Sequence, residues 1–244
     1  MSTITAIVFD IETGPLPFKQ IEWAYTPPEP IADFDPQAVK TGNLGPEKAA
    51  EKIHKERTKW AAAKAGESAT MNAHKQAFID KAALSAMTGQ ILAIGYKGTN
   101  GSRIASNDET SILEDFWSGQ RQARHKGIKW IGHNIFGFDL PFIIQRSWYH
   151  NLAVPQEIID ECNRYRSKLF VDTMHDWSLG QRSQFVKLDA LAKFFGIPGK
   201  PDDITGADFA RLFHGTNEER TQALDYLHND LEMTWAVTQR LGLV

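Results

Sequence analysis

The chain has 244 residues, and its 27 lysines and arginines against 30 aspartates and glutamates leave a formal charge of -3. That length holds one large α/β domain or two small ones around a substantial core, and the charge balance excludes a protein that grips polyanions through net charge alone. The single cysteine, Cys162, excludes an intramolecular disulfide and a thiolate zinc cluster and fits a reducing cytoplasm.

The opening MSTITAIVFD has no basic stretch ahead of its apolar residues, and the chain has no long apolar run, so neither a signal peptide nor a membrane span is expected. TITAIVFDI is rich in Ile and Val and reads as a buried central strand that ends where Asp10 and Glu12 appear. In an extended chain residues two apart project from one face, so these carboxylates point the same way. Two like charges so close repel, and either one is protonated or both hold something positive between them.

Residues 14–36 carry six of the eleven prolines and read as an irregular arm. From Pro46 the composition turns to Ala, Lys and Glu, predicting one helix that stops at Gly66 and a second over NAHKQAFIDKAALSAM. Residues 46–88 hold eight Lys or Arg and five Asp or Glu, which reads as a solvated helix pair or as a clamp on a phosphate backbone. GQILAIGYKG and SRIASN follow as adjoining strands around the turn KGTNG. ETSILEDFWSGQRQARHK is a helix, IKWIGHNI a strand and DLPFIIQRSWYH a helix with Pro141 near its start. KLFVDTM is the last strand candidate, and KLDALAKFFG, GADFARLFHG and NEERTQALDYLHNDLEMTWAVTQRLG are helices.

Two further acids stand out along this path. Asp139 follows a strand at the mouth of a helix, where Asp is a preferred N-cap. Tyr226 and Asp230 are four apart on the last helix and so share a face. Each is bland alone. Together with Asp10 and Glu12 they make four carboxylates and a phenol, a hard-oxygen set that suits Mg²⁺ or Mn²⁺ and not zinc. Two such ions, roughly 3.5 to 4 Å apart, can clamp an in-line phosphoryl displacement.

The segments FDIET, NIFGFD and YLHND, in that order, resemble the three exonuclease motifs of the DEDD superfamily (DnaQ-like), in its tyrosine subgroup, and look most like the proofreading domain of family B DNA polymerases. The histidine subgroup places a His five residues before the last acid, where this chain has Asp225, so Tyr226 is the better match and His228 reads as surface. The resemblance covers the chain outside residues 14–88. It implies a ribonuclease H-like fold: a central mixed β-sheet flanked by α-helices, with a helical insertion after the first strand, in one domain spanning the chain.

It further implies that Asp10, Glu12, Asp139 and Asp230 bind two divalent cations, Mg²⁺ or Mn²⁺, with Asp10 bridging them, and that Tyr226 orients the attacking water. Thr13, Asn134 and Phe138 would border the terminal nucleotide, Phe138 stacking on a base. Asp172 resembles a DT element after the second motif, and Lys187 resembles a lysine near the substrate; neither is assigned to catalysis.

In NRYRSKLFVDT, Arg164, Arg166 and Lys168 around Tyr165 form a basic and aromatic mixture that reads equally as a strand grip or a charged loop. With fourteen residues after the third motif, the expectation is a stand-alone cytoplasmic 3'-5' exonuclease. Its substrate would be single-stranded or frayed DNA 3' ends, its products nucleoside 5'-monophosphates, and a separate polymerase or repair protein its partner. The rival readings are a 3'-5' exoribonuclease and a non-catalytic nucleic-acid-binding module.

Overall fold

The computed structural model describes residues 6–162, 167–199 and 204–244. Arg164, Tyr165 and Arg166 lie outside the described residues. The chain divides into two compact units, one of Met1–Pro17 with Ala82–Val244 and the other of Phe18–Lys81.

The larger unit is built on a five-stranded sheet: β1 (Ala6–Pro15), β2 (Gly89–Gly98), β3 (Gly101–Ala105), β4 (Lys129–Gly132) and β5 (Phe170–Asp172), in the order β3-β2-β1-β4-β5. β1 pairs antiparallel with β2 and parallel with β4, so the sheet is mixed and β1 is central. Helices of this unit are α3 (Glu109–His125), α4 (Asp139–Tyr149), α5 (Gln156–Glu161), α6 (Thr173–Trp177), α7 (Leu188–Phe194), α8 (Gly206–Phe213) and α9 (Asn217–Arg240), following α1 (Phe18–Ile21) and α2 (Pro46–Ala82) of the smaller unit.

Strand periodicity sorts β1 between two layers. Phe9 and Ile11 enter a core with Ile112, Phe116, Trp130 and Ile143, in which the rings of Phe9, Phe116 and Trp130 meet at 5.0 to 5.7 Å. Ala6 and Val8 point the other way, into a cluster with Leu231 of α9. Full burial of each such side chain is worth about 1.5–3 kcal/mol. Gly95 of β2 lets α9 lie close on that face, since a Cβ there would stand 2.6 Å from the Leu231 side chain. Asp10 and Glu12 share the parity of Ala6 and Val8, and so face α9.

A buried ion network ties α4 to the start of α3. The Arg146 guanidinium, 1% exposed, donates to both Glu109 carboxylate oxygens at 2.8 and 2.6 Å and to the Ala86 carbonyl at 3.1 Å. Glu109 also accepts from the Ile91 N–H and pairs with His150 at 2.7 Å. Burial opposes the charged Glu109, but Arg146, His150 and the Ile91 N–H outweigh it and hold the carboxyl below its ordinary pKa.

In the smaller unit an arm runs antiparallel to α2. Phe18 and Tyr25 pack on Phe78 at ring separations of 6.4 and 5.3 Å, the Trp60 indole N–H donates to the Ala32 carbonyl, and Lys64 donates to the Ile31 carbonyl. Four element boundaries differ from expectation. α2 is one helix of 37 residues that passes through Gly66, because a helical glycine costs only about 1 kcal/mol relative to Ala. β1 continues past its acids to Pro15, held by pairing with β2 as far as Gly89. β4 stops at Gly132 and β5 begins at Phe170, both shorter than their apolar runs.

Candidate functional site

Parallel pairing between β1 and β4 ends at Val8 and Ile131, so the next turns of β1 emerge beside the sheet's interior with one edge open. Asp10 and Glu12 sit on this stretch, ahead of an irregularity in the β1–β2 register between Glu12 and Thr13. Such bulges re-aim side chains beside functional sites. On the face they share lies α9, whose buried Asp230 completes a cluster: Asp10, Glu12 and Asp230 each place a carboxylate oxygen within 4.8 Å of the others. Glu12 and Asp230 are buried and Asp10 is half-buried.

The fourth predicted acid arrives from the opposite layer. Asp139, 3% exposed, begins α4, and its Oδ1 accepts the Ile11 N–H at 3.1 Å. Ile11 is the residue between Asp10 and Glu12, and Asp139 takes a backbone donor on the part of β1 beyond its pairing with β4. Burial above all pushes the Asp139 carboxyl up from its ordinary pKa; the Ile11 N–H opposes this and the charge of Asp172 adds to it. Asp139 thus stands beside the three-acid cluster, joined to the backbone that carries two of its members.

The loop that delivers Asp139 is held by Asp172. One Asp172 oxygen accepts the Asn134 N–H at 2.9 Å and the other accepts the Phe136 N–H at 3.1 Å. The first also caps α6 through the Met174 and His175 N–H groups at 3.0 and 3.4 Å. These bonds turn the chain away from β4 after Gly132 and explain why the strand is short. Asn134 sits at φ +64°, a left-handed conformation that Asn tolerates better than most residues. His133 fastens the same loop, its Nδ1 2.9 Å from the Thr173 hydroxyl and its Nε2 2.9 Å from the Val186 carbonyl. Burial lowers the His133 pKa despite that carbonyl and the charge of Asp172, so the neutral ring donates through Nε2.

Tyr226, one turn before Asp230, is buried, and a Cβ on Gly206 would lie 3.6 Å from its hydroxyl, placing that oxygen at the start of α8. Thr13 is buried with its hydroxyl donating to the Ala83 carbonyl at 2.7 Å. Phe138 is half-buried against Phe142 at 5.5 Å. His228 is 44% exposed and lies against Ser102 and Glu232. Lys187 precedes α7, next to the carbonyl that His133 holds. The tie made by Asp172 was visible in sequence only as a DT element after the second motif, within the strand candidate KLFVDTM, and that of His133 had no local signal.

Clustered carboxylates without a thiolate or imidazole offer hard oxygen donors, and their mutual repulsion is relieved by a cation. The donor set therefore fits divalent ions of the Mg²⁺ or Mn²⁺ kind. Among the described residues, no helix is long and apolar enough to cross a membrane.

Residues 91–244 match the model of a family described as a predicted 3'-5' exonuclease related to the exonuclease domain of PolB. No curated protein matches the chain. Among solved structures, the family B DNA polymerase of the hyperthermophilic archaeon Pyrobaculum calidifontis is similar, at 14% identity and a TM-score of 0.54, over 98% of this chain and 24% of the polymerase. The chain thus spans about a quarter of that polymerase's length, and at this identity the likeness establishes the fold alone, a ribonuclease H-like mixed sheet flanked by helices.

Proposed function

Because this chain belongs to the family of predicted 3'-5' exonucleases related to the exonuclease domain of PolB, we propose that it hydrolyses the terminal phosphodiester of DNA 3' ends and releases nucleoside 5'-monophosphates. The observation that carries this is the convergence of Asp10, Glu12 and Asp230, with Asp139 bonded to the backbone between the first two. Asp10, Glu12, Asp139 and Asp230 would hold two divalent ions. Bound there, these supply Lewis-acid polarisation of the phosphoryl group and stabilise charge on the attacking and leaving oxygens.

The chain's own residues perform the remaining tasks. The Tyr226 hydroxyl orients the water whose oxygen forms the new bond to phosphorus. The bond from phosphorus to the 3' oxygen of the penultimate nucleotide breaks, and that oxygen leaves with a proton as a 3' hydroxyl. Asn134 and Phe138, on the loop held by Asp172, border the terminal nucleotide, as does Thr13. A cleft of buried acids admits an unpaired end more readily than a duplex, which favours single-stranded or frayed substrates.

The test is a 3'-labelled oligonucleotide incubated with Mg²⁺ or Mn²⁺, in matched DNA and RNA forms, since contact with the 2' hydroxyl separates the two. Labelled mononucleotide released from DNA, and lost in Asp10→Asn, is expected. Intact label with both metals would refute the reading, and faster release from RNA would reassign the substrate.

A further inference from the structure

The smaller unit carries a feature that this chemistry does not use. Lys48, Lys52, Lys55 and Lys59 of α2 are all exposed. Their spacings of four, three and four residues gather them into an arc of about 60° on a helix turning 100° per residue. They form a ridge about 16 Å long at 1.5 Å rise per residue. Glu51 and Glu56 lie on either side of the ridge and not within it.

Beside the ridge is a cavity of about 620 Å³, lined by Phe34, Trp60, Lys40, Lys52 and Lys59 together with Asp35 and Glu56. The Phe34 and Trp60 rings stand 5.9 Å apart, and the Arg57 guanidinium lies 5.2 Å from the Phe34 ring centre. Next to it, Trp60 and Lys64 bond the Ala32 and Ile31 carbonyls and fasten the arm that carries Phe34 to the helix.

We propose that this ridge and cavity form an auxiliary site for single-stranded nucleic acid, with Lys48, Lys52, Lys55 and Lys59 along the phosphates and Phe34 and Trp60 taking a base. This rests on the nuclease reading for its choice of polyanion. A basic track with aromatic rings beside it is the arrangement by which single strands are held without sequence preference. The present partners of the lysines are replaceable: Lys59 pairs with Glu56 at a side-chain exposure of 61%, and Lys52 donates to the exposed Lys40 carbonyl. Exposed pairs of this kind contribute little and yield to a phosphate. A hydrogen bond from Lys59, with the charges of Lys59, Lys52 and Lys55, holds the Glu56 carboxyl below its ordinary pKa.

The site is tested by equilibrium binding of a fluorescein-labelled twenty-nucleotide oligo-dT to the full chain in EDTA, across a salt series. The variants are Lys48→Gln/Lys52→Gln/Lys55→Gln/Lys59→Gln and Phe34→Leu. The quadruple variant should bind at least tenfold more weakly at low salt. Its slope of log K against log salt should be shallower by about 2 to 3, at about 0.7 for each phosphate that a lysine no longer neutralises. Phe34→Leu keeps the cavity filled but removes the ring, and should weaken binding by at least about fivefold, the lower end of base stacking.

The quadruple variant should still cleave a dinucleotide at the parental rate, which separates this site from the chemistry. Parental affinity and salt slope in the quadruple variant, with circular dichroism showing the same helix content, would overturn the proposal and leave the ridge a solvated face. Absence of cleavage by the parent with lysine-dependent binding retained would overturn the nuclease reading and leave this site standing.

Discussion

Replacing Asp172 by Ala removes the acceptor for four backbone N–H groups: those of Asn134, Phe136, Met174 and His175. A hydrogen bond to a charged group contributes about 1.5–3 kcal/mol, and loss of a helix N-cap costs about 1 kcal/mol. The two loop bonds and the cap together give about 4–7 kcal/mol. Relief of the repulsion that Asp172 exerts on buried Asp139 offsets part of this, leaving a loss of about 3–5 kcal/mol. For a chain of this size that lowers the midpoint of thermal unfolding by about 6 to 20 °C. Asp172→Asn keeps one oxygen as acceptor and should fall between the parent and Asp172→Ala. Where the variant remains folded, the Asn134–Phe138 loop no longer fixes the start of α4, and turnover should fall by more than substrate affinity does. Urea unfolding and steady-state kinetics on a short oligonucleotide measure both effects. Parental stability and turnover in Asp172→Ala would refute the view that this carboxylate holds the site.

Three other perturbations bear on separate parts of the account. Arg146→Ala leaves Glu109 buried without its guanidinium partner and should cost about 3–5 kcal/mol in urea unfolding. Because the folded-state pKa of Glu109 is depressed, its ionic stabilisation is complete above the ordinary carboxylate range and is lost as pH falls through the folded-state value. The gap between parent and Arg146→Ala should therefore narrow in acid; a gap that widens there contradicts the assignment. Asp10→Asn should abolish turnover while leaving the metal-free protein as stable as the parent or more so, since a like charge is removed from the cluster; calorimetry in EDTA checks the second half. Tyr226→Phe should retain fold and binding and lose about 10²-fold in turnover, the scale of a mispositioned reactant. Undiminished turnover would remove the phenol from the chemistry.

How much of this was legible in the sequence follows from how local each feature is. That Asp10 and Glu12 share a face is set by strand geometry, and that Tyr226 and Asp230 do so is set by one helical turn; both are visible at a spacing of two and four residues. The side of the sheet on which these pairs meet was not, because it depends on α9 crossing at Gly95. Asp139 reads locally as a helix-start acid, whereas its bond to the Ile11 N–H spans 128 residues of chain. The bond of Thr13 to Ala83 and the hold of Asp172 on the Asn134 loop have the same character. Gly66 misled in the other direction. Glycine is a common helix stop, but here Lys64 and Glu67 on either side of it bond the backbone of Ile31 in the arm, and the helix continues.

The central claim is that Asp10, Glu12 and Asp230 meet to hold divalent cations beside Asp139. Anomalous diffraction from crystals soaked in Mn²⁺ tests it directly. The account predicts manganese density among these four side chains, absent from crystals of Asp10→Asn. Manganese found elsewhere, with the acids still clustered and bare, would contradict it.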